Sequence, residues 1–270
     1  MPDAAAPMTI TGRMVPGFTA LTQKDDCLTP LFAELDYQVT ELGTLVLRRR
    51  RDLGTGEDIY EIKLNDEFLM SSKFTVSEVA LGRIALEALS KADLRIVVGG
   101  LGLGYTAAAA LEAPNVRSML VVDALAPVIE WHEQGLLPLG KELTADGRCR
   151  FVHGDFFAMA ASPQTGFDPL NPGARFHAIL LDIDHSPTEV LRPSNAALYT
   201  LEGLRILAEH LLPGGVFALW SNNPEDPAFT DVLAEAFGEA RGEAVVFDNP
   251  IQGREAQQCV YLARKAGSVG

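Results

Sequence analysis

Apolar positions along this chain change their spacing near residue 75. Between Tyr37 and Ser72 they come in short runs, within TLVLRRRRDLGTGEDIYEIKLNDEFLM, broken by Gly54-Thr55-Gly56 and by Asn65-Asp66. Short runs parted by turn formers predict a small antiparallel sheet joined by hairpins. The segment before Tyr37 carries no such pattern. From Val76 the residues SEVALGRIALEAL repeat at helical spacing and lead into an apolar strand, Ile96–Val98. Strand and helix then alternate to the C-terminus. Helices are expected after Thr106, at Pro127–Gln134, at Ala197–Leu212 with a stop at Pro213-Gly214-Gly215, and at Pro227–Phe237. Strands are expected up to Asp123, at Arg150–His153, at His177–Asp182, at VFALW, and at the closing pair EAVVFD and QCVYLARK. This alternation predicts an α/β fold, a doubly wound seven-stranded sheet with an antiparallel final hairpin. The boundaries read as 1–36 unassigned, 37–75 the small antiparallel β domain, and 76–270 the larger domain.

The richest stretch, Leu94–Ile129, orders a strand, the loop Gly99-Gly100-Leu101-Gly102-Leu103-Gly104, an alanine-rich helix, a second strand and an acid, Asp123. Glycines at 100, 102 and 104 allow a sharp turn and the close approach of a flat ligand. A carboxylate at the end of the second strand can accept both ribose hydroxyls. A dinucleotide loop would follow G-x-G-x-x-G, whereas Tyr105 holds the position of the third glycine. The pattern here suits S-adenosylmethionine, which has no phosphates to cradle, and it argues against a nicotinamide dehydrogenase.

Composition narrows the class. With 270 residues, 47% of them hydrophobic, the chain can bury a substantial core. No apolar run is long enough to cross a membrane, and the N-terminus has neither a basic region nor an apolar signal, so a cytoplasmic protein is expected. Cys27, Cys149 and Cys259 are odd in number and far apart, which suits reduced thiols and no metal site. A net charge of −14 disfavours nucleic acid and anionic membrane as partners and is compatible with a cationic small-molecule substrate. The run Arg48–Arg51 would send alternate side chains to opposite faces, which reads as a solvated edge strand and not an anion site.

Further acids fall at predicted strand ends, where such sheets hold their ligands. Asp155 is placed to accept from an adenine amino group, with Phe156 beside the ring. Asp182 and Asp184 follow the fourth strand near the reacting end of a ligand, and His185 beside them is a candidate base or hydrogen-bond donor. Trp131 reads as core, and Trp220, which ends the fifth strand, reads as a wall of an acceptor pocket.

VVGGLGLGYT, VVDALAPVI, HGDFF, FHAILLDIDHSP and LYTLEGLRILAEHLLPGGVFALW follow one another in the order found in the spermidine synthase family, the aminopropyltransferases, which the chain resembles from about Tyr37 onward. The resemblance implies a class I methyltransferase-like, Rossmann-like domain that uses S-adenosylmethionine or its decarboxylated form, without a metal, in a homodimer. It implies that Asp123 binds ribose, that Asp155 binds adenine, and that Asp182 is the first acid of a D-x-x-D signature, with a part in amine deprotonation. Glu78 corresponds to the acid of a Y-H-E signature, here Val76-Ser77-Glu78. The chain departs from the family at Asp182-Ile183-Asp184-His185-Ser186-Pro187, where the second signature acid is replaced by His185 or displaced to Asp184, and at Met70, where the family has glutamine. With amine-site groups missing, the leading expectation is methyl transfer from S-adenosylmethionine to a small acceptor that is not a polyamine. The alternatives are aminopropyl transfer from the decarboxylated donor to an amine, using Asp182, Asp184 and Glu78, and nucleoside binding without catalysis. Ser71, Ser72 and Lys73 are candidate donors to the carboxylate of the methyl donor.

Overall fold

The computed structural model describes residues 31–65, 67–249 and 253–267, so Cys27 and Asp66 lie outside the described residues. Four strands, β1 (Phe32–Thr40), β2 (Gly43–Arg51), β3 (Asp58–Leu64) and β4 (Glu67–Ser71), pair antiparallel in chain order. The first of them starts before the Tyr37 boundary read from the sequence, because Phe32–Glu34 pair with Arg48–Arg50. Leu45, Leu47 and Ile62 point inward and are fully buried. The arginine run lies on β2, an inner strand and not an edge, and its alternation is visible in its partners. Arg48 and Arg50 donate to the buried Glu61, at 2.7 and 2.9 Å, while Arg49 and Arg51 reach Asp58 on the other side. Each arginine of the run thus has an acid of the neighbouring strand as a partner, two arginines to each carboxylate.

Helix α1 (Val76–Glu87) leads to the larger sheet, whose strands are β5 (Leu94–Gly99), β6 (Val116–Asp123), β7 (Cys149–His153), β8 (Phe176–Leu181), β9 (Leu211–Ser221), β10 (Gly238–Asn249) and β11 (Arg254–Lys265). Their order is β10-β11-β9-β8-β5-β6-β7, with β5 to β9 parallel and β11 antiparallel to both neighbours. Residues alternate across β5: Ile96 and Val98 join the cluster of Leu81, Met119 and Trp131, and Val97 joins that of Leu181, Leu204 and Phe217. Burial on both faces explains why these strands are continuously apolar. The first cluster also takes in Leu45, Leu47 and Ile62, so the small sheet closes over one face of the large one. This is the mixed α/β fold expected of a methyltransferase-like domain with an N-terminal antiparallel sheet.

The remaining helices are α2 (Tyr105–Leu111), α3 (Ala126–Glu133), α4 (Gly140–Ala145), α5 (Phe156–Ala160), α6 (Leu201–Glu209) and α7 (Pro227–Phe237). The long helix expected over Ala197–Leu212 is shorter. Pro193–Ala197 forms a 3-10 turn, and the Thr200 hydroxyl accepts from Gly203 N at 3.1 Å, restarting the chain as α6. At its far end α6 stops at Glu209, and Pro213-Gly214-Gly215 lies inside β9, which begins at Leu211. Trp131 is core, as its helical position predicts, and its indole donates to Asp36 at 2.6 Å, tying α3 to β1. Cys149 and Cys259 are free thiols pushed up to about 12 by burial. No helix among the described residues is long and apolar enough to cross a membrane.

Candidate functional site

The glycine loop turns between β5 and α2 with φ of +92°, +49° and +92° at Gly100, Gly102 and Gly104. A Cβ on Gly102 would come within 2.6 Å of Met70 Sδ, and one on Gly100 would strike the Asp182 carbonyl. Glycine is therefore needed twice over, for backbone angle and for space. The loop is also held by its neighbours. Gly100 N donates to Val122 O, Leu101 N to Asp123 Oδ2 at 2.9 Å, and Leu125 N to Asp123 Oδ1 at 2.8 Å. Beneath the loop, Nε2 of the buried His132 lies 2.9 Å from Gly102 O. Burial raises the Asp123 carboxyl above its ordinary range, against the backbone N–H groups of Leu125, Leu101 and Gly102. Spare lone pairs on this fixed carboxylate face a cavity of about 350 Å³.

Asp155 caps α5, accepting from Phe157 N at 2.9 Å, and its other oxygen lies 3.5 Å from Arg192. Phe156, expected beside an adenine ring, belongs to the cavity lining, although it is 1% exposed and stacks on Phe167 beneath Gly99. Phe157, which lines the cavity and is half-buried, presents the more accessible ring.

At the other end two acids meet. Asp182 follows β8, and its Oδ2 accepts from Thr106 Oγ1 at 2.7 Å; the same hydroxyl lies 3.2 Å from the Glu78 carbonyl. Glu78 sits in the first turn of α1, and its Oε2 accepts from Ser77 Oγ at 2.7 Å, which in turn accepts from Trp220 Nε1 at 2.9 Å. Burial, with the Asp182 charge added, pushes Glu78 up to about 7, and burial pushes Asp182 up to about 6. Like charges at close quarters in a dry site resist joint ionisation, so the pair keeps a proton near neutrality unless a cation arrives.

The alternative second acid is elsewhere. Asp184 is 1% exposed and accepts from Leu191 N, Asn195 Nδ2 and Tyr199 OH at 2.7, 2.9 and 2.8 Å, with no share in the cavity lining. It pins the segment that brings Leu191, Arg192 and Asn195 to the cavity. His185 does line the cavity, half-buried. Among the suggested carboxylate donors, Lys73 is held by Asp52 at 2.6 Å and the Ser72 hydroxyl accepts from Tyr60 N, while Ser71 lines the cavity. Apolar side chains from the small sheet and its exit, Leu42, Leu64, Leu69, Met70 and Phe74, also line the cavity, as does Trp220. Among the described residues no group of acids, histidines and cysteines could hold a metal ion.

Sequence reasoning passed over Ser77, Thr106, Phe157 and Arg192. The only available signal was adjacency, since Ser77 precedes Glu78, Thr106 follows the loop, and Phe157 follows Phe156.

No family model matches the chain. Solved structures do. A spermidine synthase in complex with the transition-state analogue AdoDATO superposes with a TM-score of 0.65 at 16% identity, over 86% of this chain and 74% of the other. The spermidine synthase from Thermotoga maritima gives 0.65 at 15% identity, over 86% and 73%. A probable spermidine synthase from Corynebacterium glutamicum gives 0.56 at 20% identity, over 87% and 81%. Together with the small N-terminal sheet and the seven-stranded order, these superpositions establish a spermidine synthase-like fold for this chain.

Proposed function

We propose that the protein is a transferase that moves an aminopropyl group from decarboxylated S-adenosylmethionine to an amine. The observation that carries the reading is the pair Glu78 and Asp182 at one end of the cavity, with Arg192, the only lysine or arginine of the described lining, at the other end beside Asp155. A donor whose tail ends in an ammonium alone suits an acidic end; a donor whose ammonium stands beside a carboxylate brings a like charge there that no nearby cation answers. Methyl transfer, placed first from sequence, therefore stands second: Lys73, which could have answered a donor carboxylate, is committed to Asp52. The structural neighbours are spermidine synthases, which supports the same order.

The residues fit the nucleoside. Asp123 accepts the ribose hydroxyls, the loop at Gly100–Gly104 allows close approach where a Cβ would collide, and Asp155 and Phe157 flank the base. The donor's sulfonium makes its attached carbons electrophilic. Glu78 faces the donor's ammonium, held by the chain from Trp220 through Ser77. Asp182, oriented by Thr106, takes the proton the amine loses as its nitrogen bonds to the aminopropyl carbon. The cavity walls exclude water and align the reactants, which is the larger part of what an in-line displacement needs.

Calorimetric titration with S-adenosylmethionine, the decarboxylated form and methylthioadenosine tests the reading. Preference for the decarboxylated donor, with methylthioadenosine released when an amine is added, is expected. Preference for the carboxylated donor overturns it in favour of methyl transfer, and tight nucleoside binding with no release from any donor leaves binding without catalysis.

A further inference from the structure

We infer that the amine acceptor is a monoamine with an apolar body, aliphatic or aromatic, and not a diamine. The inference rests on the aminopropyl-transfer reading and deepens it. Four acids line the cavity among the described residues: Glu78, Asp123, Asp155 and Asp182. Two of them are committed to the nucleoside end, Asp123 by the backbone groups of the loop and Asp155 by its helix cap and Arg192. Glu78 and Asp182 remain, and the donor's ammonium and the proton released by the reacting amine occupy both. Asp184 spends its oxygens on Leu191, Asn195 and Tyr199, and Glu189 of the same segment is exposed and lies outside the cavity lining. No further carboxylate of the described lining is left to balance a second, distal ammonium.

Much of the remaining lining is apolar, with Ser71, Tyr105, His185 and Asn195 among its polar side chains and no further carboxylate. Leu42, Leu64, Leu69 and Phe74 come from the small sheet and its exit, Met70 rests against Gly102, and Trp220 joins them in the lining. Burying an ammonium among such groups without a partner is costly, whereas burying methylene or aryl surface is favourable. In the reaction the C–S bond breaks as the C–N bond forms, the bonding pair stays on sulfur, methylthioadenosine leaves neutral, and the amine proton passes to Asp182.

The test supplies decarboxylated S-adenosylmethionine with hexylamine, 2-phenylethylamine or 1,4-diaminobutane and follows methylthioadenosine release. The expected result is a kcat/KM for the monoamines roughly tenfold or more above that for the diamine. An equal or higher value for 1,4-diaminobutane overturns the inference and leaves aminopropyl transfer standing; release with no amine at all overturns both. A second variant reads the same cause in reverse. Leu42 lies in the turn between β1 and β2, half-buried at the cavity, where a carboxylate can be accepted without opening the core. Leu42→Glu should shift the ratio toward the diamine by roughly tenfold, because it provides the missing counter-charge. An unchanged ratio counts against the inference.

Discussion

Trp220 donates to Ser77 and Ser77 to Glu78, so an indole on β9 sets the position of a carboxylate on α1. That carboxylate has a measurable signature. Glu78, at about 7, and Asp182, at about 6, both hold their protons more tightly in the folded chain than their ordinary values of 4.5 and 3.8. Between those limits the folded state binds more protons than the unfolded one, so this contribution to stability is full below the unfolded values and lost as pH rises through about 6 to 7. Thermal melts of the unliganded protein should show that loss between about pH 4 and 7, and Glu78→Gln should flatten it and melt roughly 2–6 °C higher at the upper end. A variant that melts identically to wild type across the range would remove the strained pair from the account. Binding of the decarboxylated donor should tighten over the same rise in pH, as the pair becomes fully charged. Asp123→Ala, by contrast, should weaken every nucleoside ligand alike, by roughly tenfold to a hundredfold, since it removes charged hydrogen bonds and frees Leu101 N and Leu125 N together. Asp123 and Asp182 were legible in the sequence because each closes an apolar run. Thr106 was not, since its role rests on a hydrogen bond to a residue 76 positions away.

At the scale of elements, the glycine loop and the segment after β8 make different demands. Gly102→Ala places a methyl group against Met70 and strains a positive φ, so nucleoside affinity should fall while the melting temperature changes little. Equal loss of fold and affinity would assign the glycine to packing alone. The segment 183–199 depends on Asp184. Tyr199→Phe deletes one hydrogen bond to this buried carboxylate and should cost about 1.5–3 kcal/mol in denaturant unfolding. It should also raise the KM for the amine more than it lowers kcat, because Leu191 and Asn195 reach the cavity from the loosened segment. The sequence placed an acid at position 184 in the D-x-x-D region; whether it faces ligand or loop depended on Asn195 and Tyr199, which no local pattern ties to it. The end of α6 was misread for a related reason: Pro213-Gly214-Gly215 is a helix stop by composition, yet the chain has already left the helix and entered β9.

Over the whole molecule, a net charge of −14 favours the approach of cationic amines. The kcat/KM for an amine should therefore fall as ionic strength rises, with the Debye length shrinking from about 10 Å at 0.1 M to about 3 Å at 1 M. No salt dependence would mean that capture is governed by the cavity alone. The alternation of strand and helix, the glycine loop and its strand-end acid were determined by the sequence, because local spacing and backbone freedom are properties of neighbouring residues. Pairing of Glu78 with Asp182, withdrawal of Asp184 into the loop, neutralisation of Lys73 by Asp52 and the apolar cover supplied by Leu42, Leu64 and Leu69 were decided only by tertiary structure. Each depends on bringing distant segments together across the two sheets, and burial and charge acquire their meaning only after that approach has removed water.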